Sequence, residues 1–388
     1  MTRRGAMAKS NRTRKRRAGA TYEAAGVQAL GKRSGAGLGE LAVWVNKTFG
    51  LNPAKPILPL GYFANVIRLS PEIGIAISAD GVGTKILIAQ ELEKYDTIGI
   101  DCVAMNANDI ICVGARPVSL VDYIAVQKAD PDFLGEIGKG LYEGARQAAI
   151  NIPGGEIAQV REMIHGSRDG YGFDLAAACI GTVHPRRLIV GERVKPGDVV
   201  VGIASSGIHS NGLTLARESL FKEVELRAST YFPEFGKTVG EELLIPTRIY
   251  VKEVLAMIDA GLRIKSLIHI TGEGLMNLSR AKAGAGYVID EPVAPQPIFT
   301  EIKKVGGIDD ATMFEVFNMG VGFCVVVDPA DARRVQEIAA AHGARTAAIG
   351  YAVRDSRRRV WIPSKRLVGE GSKFSRTGET APPYPSRR

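Results

Sequence analysis

Ile73-Gly74-Ile75-Ala76-Ile77-Ser78-Ala79-Asp80-Gly81-Val82-Gly83-Thr84-Lys85 is the stretch on which the reading of this chain turns. Ile73 to Ser78 reads as a strand, Asp80 to Lys85 as a polar loop, and Ile86 to Glu93 as the helix that follows. A carboxylate at a strand end suits Mg2+, a hard cation that takes oxygen ligands and substrate phosphates. Gly81 and Gly83 let backbone N–H groups approach phosphate oxygens, and Lys85 adds a point charge. The spacing is not that of a P-loop, which needs four residues between its glycines before Lys-Ser/Thr. Alone, the segment is also readable as a plain glycine turn.

Further along, Ile100-Asp101-Cys102-Val103-Ala104-Met105-Asn106-Ala107-Asn108-Asp109 adds a second acidic set. Asp101 and Asn108 stand two helical turns apart, with Asp109 on nearly the same face. Their neighbours are apolar, so these groups should be partly buried and need a partner, of which a metal ion is one. Capping of a helix by Asp101 is the competing reading. Asp122, inside an apolar strand, is a further candidate for the cluster. Gly154-Gly155-Glu156 sets another carboxylate after a flexible turn, as a metal or substrate ligand or as a surface acid.

The second half repeats the arrangement. A strand, Asp198 to Ala204, runs into Ser205-Ser206-Gly207-Ile208-His209-Ser210-Asn211-Gly212, and a helix continues through Phe221. Short donors at a helix start favour an anion, so a phosphorylated substrate would suit this loop. His269-Ile270-Thr271-Gly272-Glu273-Gly274 before a helix from Leu275 to Arg280 has the same logic. Either histidine could be structural or catalytic on these grounds.

Between these centres, strands Val118 to Val126 and Leu175 to Val183 alternate with helices Asp101 to Val113 and Asp132 to Ala149. His184-Pro185-Arg186-Arg187 reads as a hinge, and Val321 to Val327, Pro329 to His342 and Arg345 to Val353 as a β-α-β unit. The expected organisation is a basic disordered tail over 1–20, a first domain over 21–183, a second over 184–374 and a flexible tail over 375–388.

Composition bounds the rest. The chain has 388 residues, 45% hydrophobic and 23% charged, ordinary for a globular protein. Eight of its surplus basic residues lie between Arg3 and Arg17, which accounts for most of the net charge of +9. Nucleic acid is therefore not expected as a partner beyond weak binding by that tail. No run approaches a membrane span. Cys102, Cys112, Cys179 and Cys324 lack paired spacing and read as buried thiols, and the cytoplasm is the expected location.

In their order, Ala25-Gly26-Val27, Asp80–Lys85, Thr97 through Asp109, Gly154–Glu156, Ser205–Gly212, Pro246-Thr247-Arg248-Ile249-Tyr250 and His269–Gly274 resemble the aminoimidazole ribonucleotide synthetase family. The resemblance covers Thr21 to Phe374 and implies an α+β, two-domain fold. Its N-terminal domains would pair into a dimeric β-barrel, each flanked by a C-terminal α/β layer domain. It implies ATP-dependent closure of formylglycinamidine ribonucleotide to aminoimidazole ribonucleotide, with ATP and Mg2+ as cofactors and a homodimer as the working form. Asp80, Asp101 and Asp109 would then hold metal. Asp80, Gly81, Gly83, Thr84, Lys85, Asn108, Asp109, Gly155 and Glu156 would hold nucleotide. Ser205, Ser206, Gly207, His209, Ser210, Asn211, Gly272 and Gly274 would seat substrate, with His209, His269 and Lys85 catalytic.

The chain departs from the family's usual pattern at Ile208, where proline is usual, and at Glu273, where glycine is usual. It departs also at Gly61-Tyr62-Phe63, after Glu156, and after Val27, where an acidic run is missing. The alternatives are another ATP-using enzyme of the superfamily, such as a thiamine-monophosphate kinase, or a catalytically silent nucleotide-binding regulator.

Overall fold

A computed structural model describes residues 32–222 and 226–385. After helix α1 (Lys32–Asn46), the first domain builds a five-stranded sheet from β1 (Asn65–Arg68), β2 (Gly74–Gly81), β3 (Arg116–Val126), β4 (Asn151–Gln159) and β5 (Phe173–Val183). The strand order is β1-β2-β5-β3-β4, antiparallel except for the β3–β4 pair. Alternation decides which face is covered. In β5 Leu175, Ala177 and Cys179 are buried, whereas Asp174 and Ile180 are exposed.

Helices α2 (Lys85–Leu92), α3 (Ile98–Ile111) and α4 (Pro131–Ala148) belong to the same domain, and α3 packs on β2, β3 and β5. Helix α4 starts where Asp130 accepts from the Asp132 and Phe133 amides, with Pro131 in the first turn. It packs tightly on α3 at a glycine contact, since a Cβ on Gly99 would lie 2.1 Å from the Leu141 nitrogen. Helix α3 begins before Asp101, which therefore lies in its first turn rather than capping it.

His184 to Arg187 form a tight 3-10 turn, His184 Nδ1 accepting from the Arg186 amide, and the chain enters an eight-stranded second sheet. This sheet comprises β6 (Val199–Ala204), β9 (Ser266–His269), β10 (Ala285–Val288), β11 (Val321–Val327), β12 (Thr346–Arg354), β13 (Val360–Ile362), β14 (Leu367–Glu370) and β15 (Lys373–Arg376); β7 (Tyr231–Phe232) and β8 (Lys237–Thr238) make a separate hairpin. The helices are α5 (Leu213–Arg217), α6 (Val239–Leu243), α7 (Val251–Asp259), α8 (Pro297–Gly306), α9 (Asp310–Val316) and α10 (Pro329–Ala341).

Several local expectations shift. Helix α5 stops at Arg217 and passes into a π turn over Glu218–Lys222, and Gly274–Arg280 is a 3-10 rather than an α segment. Helix α10 does connect β11 to β12, but β6 lies between them, antiparallel to both. The end expected to fray from Ser375 instead carries the last residues of β15, and beyond it the Tyr351 hydroxyl donates to the Pro382 carbonyl at 2.9 Å. The basic N-terminal tail and Ala25–Val27 lie outside the described residues. Among the described residues no helix is long and apolar enough to cross a membrane.

Candidate active site

The two strand–loop–helix units face each other across the domain boundary, touching where Thr84 Oγ1 and Thr214 Oγ1 lie 2.9 Å apart. Asp80 closes β2 on the face toward α3. Asn106 of α3 holds its backbone, accepting from the Asp80 amide at 3.0 Å and donating to its carbonyl at 3.1 Å. Burial, and then the nearby charge of Asp109, push the Asp80 carboxyl up to about 6. Gly83, with φ +72, is exposed and has open space where a side chain would be, so a phosphate can reach the backbone where α2 starts.

Asp109 is the second open carboxylate. His269 Nδ1 meets its Oδ1 at 2.9 Å, from a ring that is itself buried, so the imidazole orients the acid. Asp109 borders a cavity of about 190 Å3 under the Gly61-Tyr62-Phe63 loop. Asp80 and Asp109 are near enough for the charge of one to raise the other.

Asp101 and Lys85 are not part of that pair. Both side chains are fully buried, and the ammonium lies 3.0 and 2.9 Å from the two carboxylate oxygens while donating to the Ile245 carbonyl at 2.6 Å. Burial lowers the Lys85 pKa, against the opposing pull of Asp101. Thr247 adds its amide at 2.7 Å and its hydroxyl at 2.6 Å, and Ser210 its hydroxyl at 3.1 Å, all on Asp101 Oδ1. Lys85, expected at phosphate, and Asp101, expected at metal, here bind each other in the interior instead. Asn108 is likewise structural, accepting from the Tyr250 amide at 2.9 Å and donating to the Arg248 carbonyl at 2.9 Å.

Glu156 is displaced too. Register places Gly155 beside Asp122, where an added Cβ would meet the carboxylate at 2.4 Å, so Glu156 turns to the opposite, exposed face beside Tyr123. Asp122 lies on the inner face in one row with Ala177 and Asp80, a strand away from Asp80, its carboxyl raised by burial.

In the second loop the hydroxyls turn inward. Ser206 donates to the Pro246 carbonyl at 2.6 Å, and Ser205 Oγ accepts from Gln296 at 3.2 Å. His209, at φ +65, is 1% exposed, and its Nε2 accepts from the Ser206 amide at 3.2 Å. Burial first, then His269, Lys85 and Arg248, hold its pKa well below the usual range. It is a neutral ring that shapes the loop, not a solvent-reachable acid or base. Gly207 is covered by Asn318, which donates to the Gly207 and Ile208 carbonyls. Asn211 abuts Gly272 and stays part-exposed. Gly274 is a packing residue, since a Cβ there would lie 2.0 Å from the Phe314 carbonyl. Glu273, the unusual acid of this turn, is held by Arg280 at 2.9 Å and Asn277 at 3.3 Å.

Sequence reasoning gave no role to Asn106, Thr247, Gln296 or Asn318. A signal existed for Asn318, an amide enclosed by Phe314, Val316, Phe317 and Met319. Thr247 and Gln296 carry no such signal, because their partners are distant in sequence.

Comparison with known proteins matches residues 61–183 to "AIR synthase related protein, N-terminal domain" and residues 195–362 to the corresponding C-terminal domain. A phosphoribosylformylglycinamidine cyclo-ligase of Methanothermobacter thermautotrophicus is 50% identical over 271 residues, 70% of this chain and 78% of that protein. The protein of the same name from Methanocaldococcus jannaschii is 45% identical over 324 residues, 83% of this chain and 89% of its own. Among solved structures, a chain of a HypE-HypF complex aligns at TM-score 0.59 with 19% identity, covering 86% of this chain and 99% of that one. The last likeness is one of fold.

Proposed function

The chain belongs to the AIR synthase family, and from that premise we propose that it closes formylglycinamidine ribonucleotide to aminoimidazole ribonucleotide at the expense of ATP. The observation that carries this reading is the 45% identity to a cyclo-ligase across both domains, including both loops that meet at Thr84 and Thr214.

An amide oxygen is a poor leaving group. In the reaction it attacks the γ-phosphorus of ATP, the bond to the β-γ bridging oxygen breaks, and ADP departs. The amidine nitrogen then adds to the activated carbon, inorganic phosphate leaves, and a proton is lost as the ring becomes aromatic. This chemistry rests on positioning and charge compensation rather than a covalent nucleophile. Gly83 and the start of α2 approach the nucleotide phosphates. Asp80 and Asp109 are the residues that would hold Mg2+, which when bound neutralises phosphate charge. The fit is good in kind. Among the described residues no group of three or more His, Cys, Asp or Glu converges as a cage, and Mg2+ is commonly held by one or two carboxylates with phosphates and waters. Asp80, its carboxyl raised beside Asp109, gains most from a cation. His269 keeps Asp109 turned toward the site.

The uncovered face of the first sheet supports a homodimer as the working form. Ile77, Ile180, Val121 and Tyr123 are 37%, 40%, 46% and 46% exposed there, with register bringing Ile77 beside Ile180 and Ala178 beside Val121. Such a contiguous apolar face marks an interaction surface, and a second copy of the sheet would close it as a barrel. Sedimentation giving monomers at micromolar concentration would refute this. The four buried free thiols fit a reducing cytoplasm.

The test is phosphate release from Mg-ATP with and without formylglycinamidine ribonucleotide, with product followed as a diazotisable aromatic amine. Substrate-dependent phosphate release matched by amine is expected. Phosphate release without amine, or none, overturns the reading.

A further inference from the structure

We propose that Asp101 is a positioning residue that turns Ser210 into a hydrogen-bond acceptor for the substrate, so that Ser210 recognises an N–H donor of the substrate and not its phosphate. This rests on the cyclo-ligase reading and deepens it.

A carboxylate only accepts, and a Ser or Thr hydroxyl has one proton to give. Asp101 is fully buried against the Lys85 ammonium. Its Oδ1 receives the Thr247 hydroxyl at 2.6 Å, which commits the Thr247 proton. Ser210 Oγ lies 3.1 Å from the same Oδ1 and 3.2 Å from Thr247 Oγ1. With the Thr247 proton directed to Asp101, the Ser210 proton goes to one of these two inward acceptors. What remains for the part-exposed side of Ser210 is its lone pairs.

A phosphate oxygen needs a donor, and Ser210 has none left to offer. Ser206 is equally committed, its proton on the Pro246 carbonyl at 2.6 Å. Lone pairs on its part-exposed side suit instead the amidine and amide N–H groups at the reacting end of formylglycinamidine ribonucleotide. Asp101 thereby links recognition to domain docking, since the same oxygen binds Lys85 of the first domain and Thr247 of the second. The serine loop is read as a sensor of substrate nitrogen.

The experiment compares wild type with Ser210→Ala in full-length protein, measuring substrate KM, ATP KM, kcat and inhibition by inorganic phosphate. Wild-type turnover is established first, so failure of the cyclo-ligase reading is seen separately. The expected result for Ser210→Ala is a roughly tenfold or greater rise in substrate KM, with ATP KM and the phosphate inhibition constant unchanged. Weaker inhibition by phosphate would overturn the proposal, because Ser210 would then be a phosphate donor. An unchanged substrate KM would overturn it as well. Asp101→Asn tests the positioning role. Lowered substrate affinity with unaltered phosphate inhibition supports it, and weakened phosphate inhibition or unchanged substrate affinity counts against it. Should Asp101→Asn fail to fold, Thr247→Val takes its place: it removes a competing donor and leaves Asp101 Oδ1 as the acceptor of the Ser210 proton, so substrate KM and phosphate inhibition are expected to stay unchanged, and a change in either counts against the proposal.

Discussion

The Asp80–Lys85 loop and the Ser205–Gly212 loop have the same plan, a strand opening through a polar turn into a helix, yet they use their polar residues in opposite ways. The first leaves a carboxylate part-exposed and a glycine bare, at the cost of a carboxyl held up at about 6. The second spends its side chains inward, with Ser206 on a carbonyl, Ser210 on Asp101 and His209 on the Ser206 amide. One loop is poised for charge, whereas the other is rigid and presents acceptors. Even in the first loop the residue that looks most reactive, Lys85, belongs to the interior.

The sharpest way to break this contrast is Lys85→Met. It leaves Asp101 buried without its counter-ion and is expected to cost about 3–5 kcal/mol of stability by urea denaturation. Adding Asp101→Leu should recover part of that loss. A Lys85→Met protein of normal stability that has lost only ATP affinity would restore the lysine as a phosphate ligand.

Asp80→Asn separates activity from stability. Turnover should fall by about 100-fold or more, since one of the two proposed metal carboxylates is gone. The folded-state pKa of Asp80 lies above its ordinary 3.8, so its stabilising contribution is full below about pH 3.8 and is lost as pH rises through about 6. The metal-free Asn variant should therefore be more stable than wild type by roughly 1–2 kcal/mol near pH 7.5, a gain that disappears toward pH 4. Thermal melts in chelator at both pH values measure it, and a gain that persists at pH 4 would contradict the assignment.

Glu156→Gln should do least. The side chain is exposed on the outer face, so stability should change by about 0.5 kcal/mol or less. Turnover in Mg-ATP should be nearly unchanged. A large loss of turnover would return Glu156 to the site.

The strand–loop–helix units were legible because burial imposes a period on apolar residues, and Gly83 and Asp80 stand where that period stops. The acidic set was legible only as a set. Asp101 and Asp109 are alike in sequence, both acids on an apolar helix. One faces a lysine that arrives from α2, and the other a histidine from β9. Likewise Glu156 and Asp122 belong to neighbouring strands, and a one-residue difference in register puts them on opposite faces of the sheet.

By itself the sequence determined the two-domain plan, the family and the chemistry to look for, because these follow from local periodicity and from motifs whose order survives in the chain. The tertiary structure alone decided which acids meet solvent, which way each hydroxyl sends its proton, and that Lys85 binds Asp101. Those choices depend on partners as far apart as Asp101 and Thr247, which only packing of one domain on the other brings within hydrogen-bonding distance.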